Sequence, residues 1–532
     1  MIFGFLDPAS NAVNARVCKR WTDIVLDTLW KEVDDLHRLF GLLAPFKVVG
    51  EEHKQEHEFE RPLESADWKR FENYAKRVRR LKYYGIPPSG IVLKQSVFDN
   101  VARTRTRLNI FPNMHTLYWN APLDLCVMFM HSGIKSLVIF LPMELDTISP
   151  RPFFQEIAAR MPNLTTFDVR SSLPMRKMET EVVELFKALP KLQKVTFPRY
   201  YFTTKIAEAL SRLEHLGVVE FQYIPEQGFG CSLDVDTFDP ILEEGAFPVL
   251  WDHSMAVGFD PAARFLDLPY APCNLTMLYI DSNIIERPSS VHTLLSVIAE
   301  NCQLLKSLAL VSLCDASLSY MEDNEFDPEF MITFDHLKPA LKLHNLTSME
   351  LVHQYPLALK QTHIEQLASA WSSIETLLLN DEPVYLDRSD LTLDALVPFA
   401  RHCSNLIHLG LFIDATQLPE SASDEPTSTD DLNSASLFLS HLLPLQCGLD
   451  CGITWDEATD VIPAVSKAVQ ERCDAWTHVS DLLPVLVRLR MEERERTKEL
   501  EKEVRDLRMR VSVMTEQAVL GVKMDVSNCI MI

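Results

Sequence analysis

Glycine is scarce in this sequence, at 15 of 532 residues. Loops that cradle phosphate need glycine where the backbone closes on an anion, and no Walker loop, GxGxxG or GxSxG is present. Cysteine is thinly spread: 11 residues, an odd number, run from Cys18 to Cys529 without a CxxC pair. The closest two, Cys447 and Cys451, have no matching His or Cys cluster nearby. That pattern excludes a disulfide framework and zinc-finger spacing, and it fits reduced thiols in the cytoplasm or nucleus. Basic charge is outnumbered, 51 side chains against 75 acidic ones, for a net charge of −24. Phosphate would be repelled, so nucleic acid is not the expected partner. No apolar run reaches the roughly 18 residues that span a bilayer, and no basic-then-apolar leader opens the chain.

What remains is an ordinary globular mixture, 47% hydrophobic and 24% charged. The chain is too long for one core, so several domains or an elongated repeat array are expected. Its opening reads MIFGFLDPASNAVNARVCKRWTDIVLDTLWKEV. Ile2, Phe3, Phe5 and Leu6 end one apolar helix, which Asp7-Pro8 breaks, because proline cannot continue a helix. Ser10 is the expected N-cap of the next helix. Val13, Val17, Cys18, Trp21, Ile24, Val25, Leu29 and Trp30 follow at helical spacing. Thirty residues cannot bury such a surface alone, so the module must lean on its neighbour or on a partner.

The run Phe5-Leu6-Asp7-Pro8, then Arg16 to Trp21, then Leu29-Trp30 resembles the second and third helices of an F-box. The resemblance implies a module that binds a Skp-type adaptor, which bridges to a cullin ubiquitin ligase. It further implies that Leu6, Pro8, Val17, Cys18, Trp21, Leu29 and Trp30 hold or line that interface. The family's Leu-Pro-x-Glu opening is missing here, where Met1 falls inside the first helix. Either the true start lies upstream or part of the adaptor contact has been lost.

A second pattern recurs further on: apolar, two variable residues, apolar, one variable, apolar. Its copies begin with Met114-Leu117-Trp119, Ile134-Leu137-Ile139, Leu164-Phe167-Val169, Leu192-Val195-Phe197 and Leu216-Val219-Phe221. They continue with a weak copy, Leu250-His253-Met255, then Leu275-Leu278-Ile280, Leu305-Leu308-Leu310, Leu346-Met349-Leu351, Ile374-Leu377-Leu379 and Leu406-Leu409-Leu411. The mean period is about 29 residues, near the upper end of the leucine-rich-repeat range, with single spacings from 20 to 41. Asn113, Asn163, Asn274, Asn345 and Asn405 all sit four residues before the central apolar position. Three of them open glycosylation sequons, at Asn163, Asn274 and Asn345, and the shared phase gives these a structural explanation instead. The last two apolar positions point to one side of a short strand, and helical stretches such as 181–189 and 291–298 lie between. Such units cannot hide their apolar faces alone but can by stacking.

The expected fold is therefore an α/β repeat: a short helical F-box, then an irregular leucine-rich-repeat solenoid of parallel strands and helices, horseshoe-like, and a C-terminal helix. It resembles the degenerate leucine-rich tails of fungal F-box families, which recruit the ligase target. The boundaries read 1–45 for the partial F-box, 46–108 for a polar helical linker and 109–455 for the solenoid, with an acidic disordered loop at 417–433. Residues 456–520 read as a capping helix and weak coiled coil, and 521–532 as a flexible tail. Strand alternation turns Tyr118, Phe140, Asp168, Arg170, Glu220, Tyr279, Asp281, Glu350, Asn380 and Phe412 outward, onto a concave target-binding face.

Other segments carry weaker signals. EEHKQEHEFE at 51–60 reads as a solvated helix or loop; its His53-x-x-Glu56-His57 matches a zinc-peptidase pattern but lacks the enclosing apolar helix. No metal, cofactor or catalytic residue is expected. Basic residues from Lys69 to Arg107 are expected to pair with local carboxylates. Trp476, Val479, Leu482 and Leu483 should cap the last repeat. Leu500, Val504, Leu507, Val511 and Met514 then alternate by four and three, a seam of two to three heptads. Cys529-Ile530-Met531-Ile532 fits a CaaX box, making Cys529 a lipidation candidate, although no polybasic run precedes it. The expected function is that of a ligase adaptor with an unknown protein target. The competing reading is a leucine-rich scaffold without ligase ties, dimeric or prenyl-tethered.

Overall fold

A computed structural model gives the structure; it describes residues 2–50, 55–86, 90–142, 150–313, 326–385, 389–414, 431–443, 447–449 and 463–527. The chain divides into two units, residues 1–314 with 335–354, and residues 315–334 with 355–532.

The first unit opens with a 3-10 turn, Ile2–Phe5, and the helices Pro8–Asn14 and Lys19–Leu29. Asp7, not Ser10, caps the first helix: its carboxylate accepts from the backbone N–H of Ala9 and Ser10, both at 2.9 Å. Pro8 explains the difference, because its fixed φ suits the first helical position and leaves Asp7 as the cap. The Ser10 hydroxyl instead donates to Asp7, which holds that carboxyl below its usual range. Buried Asn11 closes the corner, donating to the carbonyls of Phe3 and Leu6 at 2.9 and 3.2 Å.

The strands follow in chain order: β1 (Glu32–Val33), β2 (Phe46–Val49), β3 (Glu56–Phe59), β4 (Arg80–Tyr84), β5 (Val92–Leu93) and β6 (Thr116–Asn120). Next come β7 (Ser136–Phe140), β8 (Thr166–Arg170), β9 (Lys194–Phe197), β10 (Val218–Phe221) and β11 (Asp252–Met255). The first unit ends with β12 (Met277–Ser282), β13 (Ser307–Ser312) and β14 (Ser348–His353). β2, β3 and β5 make a small sheet of their own. All the others are parallel, each beside the next in the order β1, β4, then β6 through β14. Helices such as Glu179–Ala188, Thr204–Ser211 and Pro288–Asn301 occupy the crossovers.

Register turns the sequence pattern into a ladder. Leu81, Leu117, Leu137, Phe167, Val195, Val219, His253, Leu278, Leu308 and Met349 stand opposite one another across the strands, and all are buried. Just before each strand, two successive N–H groups donate to one carbonyl of the previous repeat, as Lys135 and Ser136 do to His115. The recurring asparagines supply a third link. Asn113 donates to the Lys76 carbonyl at 2.7 Å, Asn163 to Ser132 at 3.1 Å, Asn274 to Pro248 at 3.2 Å and Asn345 to Gln303 at 2.9 Å. Their shared phase is thus a packing requirement, because each turn leaves a carbonyl that needs a donor.

Two boundaries move. Residues 46–108 are not only a polar linker: β4 belongs to the main sheet, and Val78-Leu81-Tyr83 carries the same spacing as the other copies. Residues 56–59 form β3 and not a solvated helix or loop, since Phe59 is buried and stacks on Phe46 at 4.9 Å. The basic cluster finds local carboxylates: Arg77 with Asp23 and Asp27, Lys82 with Glu32, Arg107 with Glu72.

In the second unit β15 (Thr376–Leu379) pairs in parallel with β16 (His408–Leu411). The helix Asp431–Leu442 packs against a helix that runs from Pro463 to Ser527. Val479, Leu483 and Val487 are buried there with Leu393, Ala435, Phe438 and Leu439, and Trp476 lies against the cluster. The helix continues through residues 521–527, where a flexible tail was expected from 521; residues 528–532 lie outside the described residues. Of the 417–433 loop, residues 431–433 are helical and the rest lies outside the described residues, as does Cys529.

Candidate protein-interaction surfaces

The N-terminal module presents apolar side chains to solvent. Phe5 is 91% exposed, Val13 66%, Val17 60% and Trp21 41%, with Leu6 and Ile24 beside them at 38% and 37%. Trp21 meets Phe3 edge-on at 5.5 Å, so its ring is braced while one side stays open. Pro8 and Cys18 are exposed as well. Leu29 and Trp30 are half-buried, and Trp30 packs against Tyr74 at 5.3 Å with the Arg38 guanidinium over it at 5.3 Å. Of the seven residues assigned to the adaptor, Trp30 therefore serves the module's own support. Phe5, Val13 and Ile24 join the open face, and their helical spacing had marked them as apolar. The helix Lys19–Leu29 is tied down by Arg77, which donates to the Asp23 carbonyl at 2.9 Å as well as to both aspartates.

The second surface is the outward face of the first unit's sheet. Lys82, Tyr118, Val138, Asp168, Thr196, Glu220, Ser254, Tyr279, Ala309 and Glu350 stand in one register row. At its N-terminal end Tyr84, Tyr118 and Phe140 pack in series as tilted rings, with centroids 5.2 and 5.3 Å apart. The Arg170 guanidinium lies 5.5 Å from the Tyr118 ring and 5.2 Å from Phe140, and it pairs with Asp168 at 3.1 Å. Burial pushes the Tyr118 hydroxyl above its ordinary range.

The middle of the face is covered by the chain itself. Asp168 and Asp281, expected to face out, are 8% and 0% exposed. Over Asp168 lies the loop after β10, where Gln227 donates to Asp168 at 3.2 Å and to the Val169 carbonyl at 2.7 Å. Gly228 allows this approach: its φ is +79°, and a Cβ would stand 2.1 Å from the Ser171 carbonyl oxygen. Over Asp281 lie Arg199 and Tyr223, both bonded to its carboxylate. Burial raises the Asp281 carboxyl, opposed by the Arg199 charge. Tyr279 is half-buried beside Phe221, at 5.4 Å. Glu220 is occupied by Lys194 at 2.7 Å and Thr196 at 3.2 Å, and Glu350 is half-buried. In the second unit Asn380 is 1% exposed. With φ at +49° it turns the chain and donates to the Tyr355 carbonyl at 2.7 Å. Phe412 there is half-buried. Alternation marks which side of a strand a residue takes, and it is blind to loops that return over that side.

Of the zinc-peptidase pattern, His53 lies outside the described residues and Glu56 and His57 are on β3. The His57 ring nitrogen meets that of His37 at 3.1 Å. Burial and that neighbour lower His37. Among the described residues no group of three or more His, Cys, Asp or Glu side chains is placed to hold a metal, and no helix is long and apolar enough to cross a membrane.

An open apolar helical module on an α/β repeat of parallel strands is thus what the first unit presents. Residues 1–35 match the F-box-like family model. No curated protein matches the chain's sequence. Among solved structures, a TLR13–ssRNA13 complex aligns over 60% of this chain at 13% identity with a TM-score of 0.31. The alignment spans 41% of that chain, well under its full length.

Proposed function

We propose that this chain is a non-enzymatic, target-binding subunit of a Skp-cullin-F-box type ubiquitin ligase, working in the cytoplasm or nucleus. The F-box-like helices dock on a Skp-type adaptor through Phe5, Leu6, Val13, Val17, Trp21 and Ile24. The parallel strands act as degenerate leucine-rich repeats and hold a protein target. Transfer of ubiquitin is the work of other subunits. One observation carries the reading: the residues that match the F-box-like model leave Phe5, Val13, Val17 and Trp21 open to water, and such a face needs a protein against it. The aromatic series Tyr84, Tyr118 and Phe140 with Arg170 is the proposed target contact, because aromatics and arginine dominate binding energy at protein interfaces.

The test is binding of purified full-length chain to a Skp-type adaptor by calorimetry. Val17→Asp replaces an exposed side chain and should leave the melting temperature unchanged. It should weaken binding about thirtyfold, or ~2 kcal/mol. Adaptor binding unaffected by Val17→Asp would remove the docking face from the proposal.

A further inference from the structure

We infer that the C-terminal helix forms a parallel, in-register two-stranded coiled coil with a second copy of this chain. The helix packs at Val479, Leu483 and Val487 on the cluster of its own unit. Residues 491–516 are exposed without interruption. A helix gains most of its stability in water from packing an apolar stripe. Here the stripe exists and nothing within the described residues covers it: Leu500 is 55% exposed, Val504 45%, Leu507 50%, Val511 61% and Met514 68%. These five alternate by four and three, placing Val504 and Val511 at heptad position a and Leu500, Leu507 and Met514 at d.

The flanking charges select the occupant. In a parallel pair, position g of one helix faces position e of the next heptad on the other. That sets Arg496 against Glu501 of the second copy, and Glu503 against Arg508, each pair occurring twice by symmetry. Sliding by one heptad would set Arg496 against Arg508, so the charges also choose the register. An antiparallel pair satisfies charge too, with Glu501 facing Arg508 and Glu503 facing Arg510. Valine at a with leucine at d favours two strands over three or four, and exchanging the Glu503 and Arg508 charges separates the parallel arrangement, which the exchange preserves, from the antiparallel one, which it sets against Arg510 and Glu501. The seam is short, so the association is expected to be reversible and concentration-dependent.

Sedimentation of the full chain between about 1 and 100 µM tests this. The expected mass rises from the monomer's 60.8 kDa toward twice that value. Leu507→Glu should hold the chain at the monomer mass, with helicity lost only from the exposed stretch. Glu503→Arg should weaken the dimer about tenfold, and Glu503→Arg with Arg508→Glu should restore it. A monomer at every concentration, or a dimer indifferent to Leu507→Glu, overturns the inference. Failure of the double exchange to restore affinity overturns the parallel arrangement. Val17→Asp should leave the dimer intact, so this result and the adaptor result are read independently.

Discussion

His253 shows what a single polar side chain costs in a repeat. It occupies the ladder position held by Leu, Phe, Val or Met in the other strands, and it is fully buried. Its ring packs on Phe202 at 4.6 Å and Phe265 at 6.0 Å. Burial lowers its pKa from 6.5 to about 4. The unfolded chain therefore binds a proton below pH 6.5 that the folded chain refuses until about pH 4. Stability must fall as pH drops through that window, by about 2 kcal/mol between pH 7 and pH 5 from this residue alone. His253→Leu is expected to remove that part of the pH dependence, as denaturant titrations at pH 5 and pH 7 would show; parallel slopes in the two proteins would contradict it. The spacing already marked this copy as weak. The spacing is silent on charge state, because protonation depends on phenylalanines far away in sequence.

At the scale of elements, the legible parts were those built from local periodicity. The eleven copies counted from Met114 onward all became strands, since an apolar pair two residues apart specifies a one-sided strand wherever it occurs. β4 escaped because Arg79, Arg80 and Lys82 drew the reading toward charge, although Val78, Leu81 and Tyr83 held the pattern. The loop over Asp168 escaped for another reason: Gln227 reaches a residue 59 positions away, and no local signal reports that. Its dependence on Gly228 is open to test. Gly228→Ala places a Cβ into backbone at positive φ, with an expected loss of at least about 2 kcal/mol. If thermal melting instead shows no change, the loop does not hold Gln227 against Asp168.

At the scale of the whole molecule, stability in the first unit should be graded, because each repeat touches mainly its neighbours. Amides of β7 through β13 are expected to exchange at least about a hundredfold more slowly than those of β1, a two-residue edge strand. Uniform exchange across the sheet would contradict that gradient. The α/β class and the order of strands were open to sequence reading, whereas the division into two units was not, since it follows from contacts rather than composition. The asparagine links carry one more consequence. Asn163, Asn274 and Asn345 each commit Nδ2 to a carbonyl of the preceding repeat, and Nδ2 is the atom to which an oligosaccharide would be attached. Routing this chain through a secretory host would set sugar addition against the stacking of its coils, so bacterial or cytosolic production is the route that leaves the array whole.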